Sequence, residues 1–347
     1  MIKSVHFQNF KSMKDVRIDL ERFTVIVGPN GSGKTSVLEG LYELSDDFEQ
    51  RRPEAPYLWN QVLQEFCTYG AAEGMSINVE TVDGERCSKT LWPLDTNGEG
   101  SSQSEASPPS SSCQKALAPC VFLQLEATKL AASSYSNLLK PKMTRNGEGF
   151  SSVLAYMVLN QPDSFQELLR LFQRVIPSVS RIRFDRQKPT ESLPQNPEKP
   201  VQELIVFDFV GAEGIPAHRV SEGTILVLGL IGAMMNPPRP HLVLLDDLER
   251  GLHPKAQREL VDQIRTILDQ NPEMQIVATT HSPYLLDKLR PEEVRITTLD
   301  ENGHTVCGRL DAHPKFEKWK DEMTPGEFWS LIGEQWVVER EAVGNPK

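Results

Sequence analysis

GPNGSGKT, residues 28–35, is the stretch from which the rest of this sequence is read. Gly28, Gly33, Lys34 and Thr35 satisfy G-x-x-x-x-G-K-[ST], the spacing of a loop that cradles phosphate groups. The flanks are those such a loop requires. Residues 23–27 are an apolar run that reads as a strand feeding the turn, and residues 36–42 continue as a helix. Glycine lets the backbone wrap an oxyanion with no Cβ in the way. The free N–H groups and dipole at the helix start favour negative charge there. Lys34 is placed to reach the β- and γ-phosphates of a nucleoside triphosphate, and Thr35 to hold Mg²⁺ through its hydroxyl. Asn30, Gly31, Ser32 and Ser36 complete the expected phosphate contacts.

Such a loop needs a carboxylate on a neighbouring strand. HLVLLDDLE, residues 241–249, supplies four apolar residues and then Asp246 and Asp247. Continuous apolar runs of this kind are buried parallel strands, and ligands sit at their carboxyl ends. Asp246 is the expected Mg²⁺-side acid, and Asp247 the acid that polarises the attacking water. QIVATTHSP puts His281 just past another buried strand, where it can contact the γ-phosphate and the water. VSEGT, residues 220–224, opens an apolar helix over 224–235 with Ser221 as its N-cap. With Gly223 it makes a second helix start suited to an anion. One chain cannot easily bring two helix starts to one γ-phosphate, whereas two chains placed head to tail can. The expected assembly is therefore a homodimer with ATP sandwiched between the copies.

Together, GPNGSGKT, VSEGT, LVLLDD, LERGLHP and TTHSP resemble the ABC-type ATPase heads of the SMC, RecF and overcoming-lysogenization-defect (OLD) group. The opening FQNFKS is similar to that group's first hairpin, and MTPGEFWSLIGEQWV to the tail of its stand-alone bacterial members. The resemblance implies an α/β P-loop NTPase fold: a head with an antiparallel N-terminal β subdomain, a central mixed sheet and a helical lobe. It also implies ATP and Mg²⁺ as cofactors, Ser221 and Gly223 as a signature acting in trans, residues 250–254 as the D-loop and His281 as the switch histidine. Three departures stand out. The catalytic position carries Asp247 where the family usually has Glu, one methylene longer. Glu222 adds a negative charge inside the signature. The coupling glutamine is not in its usual register, and Gln124 is the candidate, as a further metal contact. Lys11, in the first hairpin, is a candidate contact to the base or phosphates.

The pattern divides the chain into a β subdomain with the P-loop over 1–94, a disordered low-complexity loop over 95–118, a helical lobe over 119–200, a C-terminal ATPase lobe over 201–310 and a helical tail over 311–347. The loop is expected because residues 95–116 hold almost no core-forming side chains. Residues 45–70 carry helical spacing at Leu58, Val62, Leu63 and Phe66. Five scattered cysteines without C-x-x-C spacing read as free thiols in a reducing cytoplasm. No apolar run approaches the ~20 residues of a membrane helix, and no secretory signal opens the chain. A net charge of −11 argues against a surface coated for DNA binding. Arg170, Arg174, Arg181, Arg183, Arg186 and Lys188 form the densest basic stretch, either a nucleic-acid patch or a solvated face.

No TOPRIM-like acidic cluster follows residue 300, since Glu301, Asp311 and Glu317 lack a buried-strand context. The resemblance then implies a slow ATPase that gates a separate DNA-associated partner, a nuclease or TOPRIM protein, in anti-phage defence or DNA repair. A non-hydrolysing nucleotide-sensing scaffold and a transporter ATPase subunit remain the alternatives.

Overall fold

The computed structural model describes residues 1–48, 74–91, 104–106, 111–187 and 201–344. They form two compact units that interleave along the chain: residues 1–122, 240–248 and 272–347, and residues 123–239 and 249–271. The expected linear lobes therefore do not coincide with the units. Residues 201–310 are divided between the two, and the tail over 311–347 belongs to the first.

The first unit is built on two sheets. β1 (Ile2–Phe10), β2 (Met13–Asp19), β4 (Met75–Thr81), β5 (Arg86–Leu91) and β6 (Ser104–Ala106) make an antiparallel sheet of order β2-β1-β4-β5-β6. Strict alternation sets its facing. Val5, Phe7, Val16, Ile18, Ile77 and Val79 are buried, while His6, Arg17, Asn78 and Arg86 lie on the other side. The second sheet has the order β14-β13-β3-β12-β11-β7, from β3 (Phe23–Val27), β7 (Cys120–Leu123), β11 (Leu242–Leu245), β12 (Gln275–Thr280), β13 (Val294–Leu299) and β14 (Thr305–Arg309). β11, β12, β3 and β13 run parallel, and β14 returns antiparallel. β3, β11 and β12 are buried at every position, as strands covered on both faces must be. One core joins the two sheets through α1 (Lys34–Phe48), with Val37, Leu38, Leu41 and Leu44 packed among Phe7, Phe10, Leu244 and Val277.

The end of the expected disordered loop is ordered. Ser104–Ala106 pairs with β5, and Ser111–Leu117 is a helix, α2. Cys113, Ala116 and Leu117 form an i, i+3, i+4 stripe that is buried in the same core. These three side chains outweigh the polar composition around them. The helix expected over 45–70 falls mostly outside the described residues.

The second unit carries the three-stranded antiparallel sheet β10-β9-β8, from β8 (Val179–Gln187), β9 (Gln202–Phe209) and β10 (Ala212–Pro216). Its helices are α3 (Ala127–Leu130), α4 (Phe150–Asn160), α5 (Pro162–Val175), α6 (Glu222–Met235) and α7 (Pro254–Gln270). α6 is apolar on all sides and buried over nearly its whole length, packed against α3, α5 and α7. The break expected near Pro162 separates α4 from α5, with the proline at the first turn of α5. The basic stretch is mixed in character. Arg181, Arg183 and Asp185 share one exposed face of β8, and Arg183 pairs with Asp208 at 2.6 Å. That guanidinium, together with the Gly214 N–H, holds the Asp208 carboxyl below the usual carboxylate range. No helix among the described residues is long and apolar enough to cross a membrane.

A single side chain ties the start of β1 to the central sheet of the first unit. The buried Gln275 amide donates to the Ile2 and Glu21 carbonyls at 2.8 and 3.0 Å and accepts from the Ile2 N–H at 2.8 Å. Gln275→Met keeps the volume and leaves these backbone groups without partners. It should cost about 2–3 kcal/mol, read as a lower urea midpoint with an unchanged m-value.

Candidate functional site

β3 ends at Val27, and the chain turns through residues 28–33 into α1. This turn depends on close backbone contact. Gly28 has φ +152°, and a Cβ there would lie 2.0 Å from the Thr297 carbonyl oxygen of β13. The neighbouring strands hold the loop through hydroxyls. Ser32 Oγ and Thr297 Oγ1 are 2.8 Å apart, Thr305 Oγ1 donates to the Ser32 carbonyl at 3.2 Å, and Ser12 Oγ lies 2.7 Å from Thr305 Oγ1. The Lys34 ammonium is buried at the loop's centre, donating to the Gly28 and Pro29 carbonyls at 3.0 and 2.8 Å. Asn30 and Gly31 are exposed at the tip, and Thr35 and Ser36 are half-buried in the first turn of α1.

Parallel register brings the acids to this loop. β3, β12 and β11 are neighbours, so their carboxyl ends share one edge of the sheet. Asp246 follows β11, and Thr35 Oγ1 donates to its two carboxylate oxygens at 3.1 and 3.2 Å. Asp247 is next, exposed, with a left-handed backbone at φ +53°. His281 follows β12 and is exposed at the same edge. Thr279, which sequence reasoning did not single out, lies beneath both acids. Its hydroxyl donates to Asp246 Oδ1 at 2.7 Å and accepts from the Asp247 N–H at 3.0 Å. The signal was a paired threonine before His281, two hydroxyls closing a strand whose middle, residues 276–278, is apolar. The β13–β14 hairpin was also missed. Its signals were the alternation from 294 to 299 and the Asn302-Gly303 turn dipeptide.

Lys11, the candidate nucleotide contact, has a carboxylate partner in this structure. It sits in the β1–β2 turn at φ +51°, and its ammonium is ion-paired with Glu39, one turn beyond Thr35 on α1. Thr35 and Asp246 offer hard oxygens side by side next to a phosphate loop, a donor set that fits Mg²⁺. Among the described residues, no group of three His, Cys, Asp or Glu side chains could hold a metal by itself.

In the second unit, Ser221 caps α6 as expected, accepting from the Thr224 N–H at 3.3 Å. Gly223 meets the backbone of the loop before α7 directly, since a Cβ there would lie 2.3 Å from the Gly251 carbonyl oxygen. The charge of Glu222 is answered locally by Arg250, whose Nε lies 3.2 Å from Glu222 Oε1. Gln124 follows β7, and its N–H donates to the Arg145 carbonyl at 3.0 Å.

Residues 1–89 match the family described as "AAA ATPase domain", and residues 145–287 the family described as "AAA domain, putative AbiEii toxin, Type IV TA system". Both matches are to ATPase domains, and the chain resembles the SMC/RecF/OLD-like ATPases. It is 22% identical to an OLD nuclease of Thermus scotoductus over 91% of this chain and 65% of that one. It is 33% identical to the Septu protein PtuA of Bacillus thuringiensis over 82 residues, 23% of this chain and 20% of the other. The chain thus spans less than two thirds of the length of these curated relatives. Among solved structures, an SMC head crystallised with the C-winged helix domain of ScpA superposes with a TM-score of 0.58 at 15% identity, over 91% of this chain and 99% of that one. At that identity the likeness shows the fold, that of an SMC-type ATPase head.

In this SMC/RecF/OLD-like head, Gly28→Ala forces either the loop or β13 to move. We expect at least about 2 kcal/mol of destabilisation, together with loss of ATP binding by isothermal titration calorimetry. Gly31→Ala meets no atom within 4 Å and carries only the cost of its left-handed backbone at φ +78°, so it should be the milder variant.

Proposed function

We propose that two copies of this chain close head to tail on ATP, hydrolyse it slowly, and thereby gate a DNA-associated partner such as a nuclease in anti-phage defence or DNA repair. The observation that carries this reading is the contact of Thr35 with Asp246 beside the phosphate loop, with Asp247 one residue further along the same edge. The loop amides and Lys34 would hold the β- and γ-phosphates, and Thr35 with Asp246 would hold Mg²⁺. Bound there, Mg²⁺ would neutralise charge building up on the phosphate oxygens. Asp247 would take the proton of the attacking water, with His281 orienting that water against the γ-phosphate. Ser221 and Gly223 on a second copy would present their helix start to the same phosphate. The Glu222–Arg250 pair supports this role, because it sets a positive charge beside the carboxylate that would repel a triphosphate. Gln124 stays a proposed metal contact within this scheme.

The link to nucleases and defence rests on the likeness to an OLD nuclease and a Septu protein, and applies to this chain by analogy alone. A nucleotide-sensing scaffold is the second reading. It is favoured by the short Asp247 side chain, exposed at the sheet edge where a longer Glu is usual.

Turnover separates the two readings. The wild-type protein with Mg²⁺ and ATP should release phosphate above a Lys34→Ala blank, whereas a rate equal to that blank would establish the scaffold. Asp247→Asn should retain ATP and elute as a dimer in size-exclusion chromatography with light scattering. A monomeric profile with saturating ATP would contradict the sandwich. DNA should raise the ATPase rate; equal rates with and without it, and no retention of DNA, would remove nucleic acid from the scheme.

A further inference from the structure

Thr279 is fully buried in the middle of the parallel sheet, yet its polar atoms engage three consecutive residues of the neighbouring strand end. Its carbonyl accepts from the Leu248 N–H at 3.0 Å, its hydroxyl accepts from the Asp247 N–H at 3.0 Å, and its hydroxyl donates to Asp246 Oδ1 at 2.7 Å. A hydroxyl has one proton and two lone pairs. The Asp247 N–H can only donate, so the threonine proton must go to the Asp246 carboxylate. The direction of every bond in the cluster is thereby fixed.

Two consequences follow from the geometry. Asp246 Oδ1 receives both Thr279 and Thr35, so its carboxylate plane is pinned from the sheet side as well as from α1. Asp247 is held by its amide in the left-handed region, one of three non-glycine residues there among those described. L-residues enter this region only against steric cost, and such outliers persist where surrounding contacts over-determine them. A left-handed residue at the end of an extended strand turns its Cβ away from the direction in which continuing β structure would carry it. That is a backbone means of re-aiming a carboxylate one methylene shorter than glutamate.

We infer that Thr279 is a positioning residue whose single hydroxyl locks the metal-side acid Asp246 and the water-side acid Asp247 into one rigid unit. The inference rests on the hydrolytic reading for its effect on rate, but not for its effect on Mg²⁺. Thr279→Val keeps the shape and removes the hydroxyl, and Thr279→Ser keeps the hydroxyl and removes a methyl. In fluorescence titrations with a labelled ATP, the valine variant should need about tenfold more Mg²⁺ for half-maximal binding. Its affinity for ATP without metal should match wild type, and the serine variant should stay within about threefold of wild type in both. In turnover, valine should lower kcat at least about tenfold with KM little changed, and serine should restore it.

The Mg²⁺ arm stands even if wild type shows no turnover above the Lys34→Ala blank, so failure of the hydrolytic reading and failure of this inference give different results. Valine behaving as wild type in the Mg²⁺ titration would overturn the inference. So would serine being as impaired as valine, because packing of the methyl rather than the hydroxyl would then be what matters.

Discussion

The site of this protein depends on the parallel register of β3, β12 and β11. Their shared polarity places three strand ends at one edge: one runs into the phosphate loop, one into His281, and one into the two aspartates. Reversing any of these strands would send its terminal residues to the opposite edge, about 15–20 Å away for a strand of ordinary length. The register is in turn enforced by burial. All three strands are covered on both faces, so a shift of one residue would drive polar groups such as Thr279, Thr280 and Asp246 out of position among tightly packed apolar neighbours.

Within that frame, hydroxyls do much of the local work. Ser32, Thr297 and Thr305 bind the glycine loop to the β13–β14 hairpin, Ser12 ties the β1–β2 turn to Thr305, and Thr35 and Thr279 bind Asp246 from either side. A loop rich in glycine has little to pack with and loses much entropy on ordering. These side-chain bonds supply the rigidity that its composition does not. In a low-dielectric interior each bond is stronger than in water, and each unmade partner costs more. The arrangement around the loop is therefore held as a set.

The second unit answers a different problem. At the start of α6, the proposed signature, Glu222 adds a negative charge beside the helix N–H groups. Arg250 lies within ion-pair distance of that carboxylate, on the loop whose Gly251 touches Gly223. The pair is exposed and contributes little to stability. Its consequence is local charge: the helix start presents its N–H groups with the added carboxylate offset.

The sequence alone determined the α/β class, the phosphate loop, the strand before it, and the buried strands over 242–245 and 275–280, because buried apolar runs ending in polar residues read the same at every level of structure. It also determined that Ser221 begins a helix, since a capping hydroxyl is a local device. Tertiary structure alone decided the rest. Thr279 looks like any strand threonine until β11 is laid beside β12, and the Glu39 partner of Lys11 shows only once α1 lies beside the β1–β2 turn. The polar segment before Leu117 looks shapeless until three of its side chains find the core. In each case the deciding partner is remote in the chain, and a hydrogen bond, an ion pair or a packing contact between distant residues leaves no spacing in the sequence from which to read it.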